Sequence, residues 1–175
     1  MDKRIFIING PGGVGKDTFV RLVAEHCTYP VSNFSSVDKV KEIARMAGWN
    51  GGKSEKDRKF LSDMKLLTTA YNDMPMNSMR KEVERFMASA EYALFLHVRE
   101  PGEILRCVNE FGAKTIVVDR PSVKHITSNM ADRNVFEYTY DVVIKNYAGL
   151  SEFSDIAKKF IDDVMSGKME CYYGN

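Results

Sequence analysis

Four glycines and one lysine fall within seven residues, Gly10-Pro-Gly-Gly-Val-Gly15-Lys16, in the order G-x-x-x-x-G-K. Glycine lets a backbone turn so that successive N–H groups converge on one anion. A lysine closing such a turn reaches the outer phosphates of a polyphosphate. Gly12, Gly13 and Gly15 stand where bulk would collide with phosphate, and Gly10 and Val14 complete the turn. The chemistry this spacing could support is phosphate binding and, with a second reactant, phosphoryl transfer. The plain alternative is a glycine-rich turn that only joins two elements. Asp17 and Thr18 follow the lysine. A hard cation such as Mg2+ prefers oxygen ligands, and either residue could supply one, directly or through water.

Such a cradle needs a strand before it and a helix after it. Residues 4–8 (RIFII) are a short apolar run that reads as a strand covered on both faces. From Lys16 the pattern turns helical, with Phe19, Val20, Leu22, Val23 and Cys27 on one face. A second strand is expected at 31–34, followed by Ser36 as the N-cap of a helix that stops at Gly48. Ser54 opens a longer helix whose stripe is Phe60, Met64, Leu67 and Tyr71. Asn72 to Pro75 breaks it, and residues 76–90 form another helix on Met79, Val83, Phe86 and Met87. Further strands are expected at 93–98, 113–118 and 141–145, and Pro101 opens the helix between the first two. The terminal helix at 150–164 would turn Leu150, Phe153, Ile156, Ala157, Phe160, Ile161 and Val164 inward. Strands alternating with helices predict one α/β domain over 1–175, with a central parallel sheet of about five strands and right-handed crossovers. Ligands of such sheets bind beyond the carboxyl ends of the strands.

Other candidates lie at those ends. Asp38 follows the second strand and could accept a hydrogen bond from an acceptor hydroxyl or act as base; an acidic residue also suits the first turn of a helix. Lys41 and Arg58 could grip an acceptor phosphate, Arg with bidentate geometry, or lie on a solvated helix face with Lys53, Lys56 and Lys59. Asp63 and Asp73 are weaker candidates. His97, at the end of the third strand, could donate to a phosphate or acceptor, or be structural. Residues 120–139 are polar and irregular, and a stretch of that length suggests a lid over the site, the alternative being an ordinary surface loop with a salt bridge. Arg120 is the first candidate there to offset charge on the transferring group, and Arg133 the second.

The G-K-D-T variant of the phosphate loop resembles that of phage deoxynucleoside monophosphate kinases and of animal-type phosphomevalonate kinases. Residues 140–152 (YDVVIKNYAGLSE) resemble the last strand, loop and helix of dephospho-CoA kinases. These families imply a three-layer P-loop NTPase fold, with ATP and Mg2+ as cofactors. They imply a helical acceptor-binding insertion at about 49–91 and a lid at about 120–139. On this resemblance Asn146, Ala148 and Gly149 lie beside the adenine. Arg99 and Glu103 fall on the D-x-R-x-x-x-E pattern of the phage and phosphomevalonate kinases. His97 stands where those families place Asp, so Glu100 or Asp17 is left to serve the metal.

Composition narrows the partners. Lys plus Arg is 25 and Asp plus Glu 24, for a net charge of +1, which disfavours a binder of duplex nucleic acid. No apolar run approaches the ~20 residues of a bilayer span, and the first residues do not read as a secretory signal. Cys27, Cys107 and Cys171 are too scattered for a zinc site or disulfide framework and read as reduced thiols of a cytoplasmic protein. A guanine-selecting N-K-x-D segment is absent, which sets aside a GTPase. The expectation is an ATP-dependent small-molecule kinase acting on a nucleoside, nucleotide or related metabolite. The alternative is a nucleotide-binding regulatory or assembly protein with little phosphotransfer. A homodimer is left open.

Overall fold

The apolar run at residues 4–8 becomes β1 (Arg4–Asn9), the centre of a five-stranded sheet, in a computed structural model that describes residues 2–121, 134–147 and 149–168. The other strands are β2 (Val31–Ser35), β3 (Ala93–His97), β4 (Lys114–Asp119) and β5 (Val142–Lys145). Their order is β2-β3-β1-β4-β5, and every neighbouring pair is parallel. All carboxyl ends therefore share one edge, which gathers residues far apart in the chain.

The helices are α1 (Lys16–His26), α2 (Asp38–Met46), α3 (Glu55–Asn72), α4 (Met74–Ala88), α5 (Pro101–Phe111) and α6 (Leu150–Met165), with a 3-10 turn at Asn134–Glu137. Period-two alternation splits each inner strand between two cores. Phe6 and Ile8 of β1 and Phe95 of β3 join α1 and α6, while Ile7, Leu94 and Leu96 join α4 and α5. The result is the three-layer α/β sandwich that the alternation of elements predicts. In the first core the Phe160 ring lies 5.3 Å from Phe6 and 5.4 Å from Phe19, centre to centre, both edge-on. No helix among the described residues is long and apolar enough to cross a membrane.

Four local expectations need correction. Ser36 is not an N-cap: it is buried, and its N–H donates to the His97 carbonyl at 3.1 Å. Val37 precedes α2 instead, with no side-chain cap. In α3 the stripe of Phe60, Leu67 and Tyr71 is exposed, Tyr71 by 85%. The partly covered face is Leu61, Met64, Lys65 and Thr68, because α3 lies against α2 and α4 and buries nothing fully. In α6 Leu150 points outward, as does Met87 of α4.

Charged contacts, the Arg80–Glu110 pair among them, tie α3 and α4 to α5. Lys65 of α3 pairs with Glu103 of α5 at 2.8 Å, both side chains largely buried. Arg106 of α5 grips the Asp73 carboxylate at the α3–α4 junction, where Asp73 takes a φ of 55°. That junction is the break expected at Asn72 to Pro75. At the start of α3, Ser54 and Asp57 form a reciprocal capping box.

Candidate functional site

The site is built on the turn from β1 into α1. Asn9 ends β1, is fully buried, and accepts a hydrogen bond from the Gly10 N–H at 2.8 Å through its side-chain oxygen. Its amide donates to the Tyr140 hydroxyl at 2.7 Å and to the Arg99 carbonyl at 3.2 Å. Tyr140 in turn donates to the Val135 carbonyl at 2.8 Å. Burial pushes the Tyr140 hydroxyl up to about 12, so it remains a donor at neutral pH.

The loop then uses the freedom that only glycine has. Gly10, Gly13 and Gly15 adopt φ of 144°, 81° and 101°. A Cβ at Gly10 would stand 2.4 Å from the Val118 carbonyl oxygen. Val14 is buried under the turn, and its carbonyl accepts from the Asn146 amide at 2.9 Å. Gly15 is the N-cap of α1 and no side chain caps that helix. An anion at this turn would meet the N-terminus of α1 and the field of the helix dipole. The Lys16 ammonium folds back across the mouth, donating to the Gly10 carbonyl at 2.5 Å and the Pro11 carbonyl at 2.8 Å.

Around that mouth the structure gathers Asp17, His97, Asp38 and Lys41. Nε2 of His97 faces Oδ1 of Asp17 at 3.7 Å. Burial holds His97 down to about 4, Lys16 and Lys41 acting in the same sense and Asp17 and Asp38 against it, so the ring is neutral at pH 7. Asp38 takes the Ser35 N–H at 2.9 Å on one oxygen and Lys41 Nζ at 3.2 Å on the other. Its carboxylate therefore also ties the end of β2 to the first turn of α2.

The remaining candidates are more dispersed. Arg58 is exposed on the first turn of α3. Arg99 and Arg120 are half-buried just past the ends of β3 and β4. Glu100 is the N-cap residue of α5, and Glu103 is engaged by Lys65. Asn146, expected beside the adenine, clasps the phosphate loop with its amide; Gly149 is the N-cap residue of α6. Ala148, Arg133 and residues 122–133 of the expected lid lie outside the described residues. The sequence reading missed Asn9 and Tyr140. An asparagine ending an apolar strand immediately before the first loop glycine was the available signal.

Among the described residues no three His, Cys, Asp or Glu side chains come together to hold a metal ion alone. Asp17 and Thr18, the residues expected to offer oxygens to a metal, lie in the first turn of α1.

The neutral His97 has a measurable consequence. Below pH 6.5 an unfolded imidazole takes up a proton that the folded one does not bind until about pH 4. The unfolded chain then carries more protons, so stability is full above the unfolded value and declines as pH falls. From pH 7.5 to 5 the expected loss is about 2 kcal/mol. Denaturant titrations of wild type and His97→Asn across that interval should show the slope in the former and its loss in the latter. Equal slopes would contradict the burial of this ring. Asp73, held low by the hydrogen bond from Arg106, and Glu110, held low by that from Arg80, contribute only at lower pH.

No protein-family model matches the chain, and no curated protein matches it. Solved structures do. A sugar kinase from Janibacter sp. HTCC2649 matches with a TM-score of 0.47 and 13% identity, over 98% of this chain and 100% of that one. Shikimate kinase from Aquifex aeolicus matches with a TM-score of 0.47 and 14% identity, over 94% and 97%. A tunicamycin resistance protein from Deinococcus radiodurans matches with a TM-score of 0.47 and 10% identity, over 95% of each chain. Likeness at this level decides neither activity nor substrate, and the case for phosphate chemistry rests on the loop itself.

Proposed function

We propose that the protein is an ATP-dependent small-molecule kinase, transferring the γ-phosphate to a nucleoside, nucleotide or related metabolite. The observation that carries this reading is the turn from Gly10 to Gly15. Three of its glycines take positive φ, it opens on a helix without a side-chain cap, and the Lys16 ammonium lies across its mouth.

In this reading the loop N–H groups hold the β-phosphate, and Lys16 leaves the Gly10 and Pro11 carbonyls to bridge the β- and γ-phosphates. The acceptor oxygen attacks the γ-phosphorus as the bond to the β-phosphate oxygen breaks, and ADP leaves. Where the acceptor is a hydroxyl, its proton passes to the Asp38 carboxylate; a phosphate acceptor needs no such transfer. Arg99 and Arg120 would offset charge on the moving group, and Lys41 and Arg58 would hold an acceptor phosphate. Magnesium, when bound with ATP, supplies further offset of the phosphate charge, and Asp17 and Thr18 would hold it.

A second reading, a nucleotide-binding protein with little phosphotransfer, is favoured by one observation: the Asp38 carboxylate is already engaged by Ser35 and Lys41. A coupled assay of ADP release over a panel of nucleosides, nucleotides and dephospho-CoA separates the two. Acceptor-dependent release is expected. Saturable ATP binding with no acceptor-dependent release would give the second reading.

A further inference from the structure

At the carboxyl end of β3, His97 Nε2 is closed off from solvent and has no hydrogen-bond partner among the described residues. It faces Asp17 Oδ1 at 3.7 Å, too far for a hydrogen bond. Two donors each roughly 2.1 Å from one cation lie at most about 4.2 Å apart, so the observed gap is one that a shared ion can span. The His97 side chain is 13% exposed and fixed by the sheet, whereas that of Asp17 is 91% exposed and can adjust. Both border the phosphate loop, Asp17 next to Lys16 in the first turn of α1 and His97 level with Ile8 of β1.

We propose that His97 and Asp17 form a nitrogen–oxygen site for a divalent transition-metal cation, which enters with the nucleotide phosphates. The proposal rests on the nucleotide reading above and specifies its cation. Mg2+ demands oxygen ligands and near-ideal octahedral geometry. A neutral imidazole nitrogen suits first-row transition ions instead, and a single nitrogen ligand shifts the preference toward them. Mn2+ is the probe of choice, since it accepts imidazole, carboxylate and phosphate and is paramagnetic.

The test uses the full chain with Mn2+ and ADP. Nucleotide binding is first established by calorimetry, with Mg2+ and with Mn2+. Pulsed electron paramagnetic resonance of the Mn2+–ADP complex should show modulation from a directly bound 14N. Histidine-selective 15N labelling should replace it with the 15N pattern, and His97→Asp should abolish it. The same variant should lower the ratio of Mn2+ to Mg2+ affinity by roughly tenfold or more. Asp17→Asn should weaken both cations and leave the nitrogen signal. Bound Mn2+–ADP without nitrogen modulation in the wild type would overturn the proposal and leave the nucleotide reading standing; this result needs no variant to fold. Absence of nucleotide binding with either cation would overturn both.

Discussion

Replacing Lys16 by alanine is expected to lower phosphoryl transfer by roughly a thousandfold or more while leaving the fold intact. In a loose transition state the protein supplies position and opposite charge, and single groups of that kind contribute about 10²–10⁵ in rate. Lys16 is the one cation that the loop itself carries. Its ammonium contacts two backbone carbonyls at the loop mouth, Gly10 and Pro11. Water can replace those bonds, so the stability cost is about 1 kcal/mol. Steady-state turnover and thermal melting, measured on the same preparations, check both halves. Turnover equal to wild type would remove Lys16 from the mechanism; a collapsed melting transition would make its role structural.

Phe160→Ala should have the largest effect on stability. The ring is fully buried in α6 and lies against Phe6, Phe19 and Phe95, at 5.3, 5.4 and 6.4 Å between centres. It thereby joins α6 to α1 and to strands β1 and β3. Truncation loses the transfer energy of the ring and leaves a cavity that stiff aromatic neighbours fill poorly, for a cost of about 3–5 kcal/mol. In urea the midpoint should fall with little change in slope. Heating should show a melting temperature lower by roughly 10 °C. A loss under about 1 kcal/mol would mean that this core is not packed as described.

The parts of this molecule legible in its sequence are those fixed by local pattern. The run of residues 4–8 and the glycine-lysine spacing place β1, the loop and α1 without any knowledge of the rest, because a short apolar run and a G-x-x-x-x-G-K turn each have a local physical meaning. Pro101, Gly48 and Ser54 mark helix ends for the same reason. The face of α3 was not legible. Its apolar stripe obeys helical spacing, but which face is covered depends on α2 and α4, and the packed side includes the ion pair from Lys65 to Glu103. Asn9 and Tyr140 meet across 131 residues, a contact that only the sheet topology creates. Asn146 and Asp38 show the same limit. Their positions at strand ends could be read, but not that one clasps the Val14 carbonyl and the other takes the Ser35 N–H.

Calorimetric titration of the wild-type protein with ATP, ADP, inorganic triphosphate and adenosine, each with a divalent cation, tests the central claim most directly. An anion cradle at Gly10 to Lys16 predicts saturable binding of ATP and ADP, competition by inorganic triphosphate, and far weaker binding of adenosine, which has no phosphate for the loop to hold. Absence of heat with any of the phosphates, or adenosine binding as tightly as ATP, would contradict it.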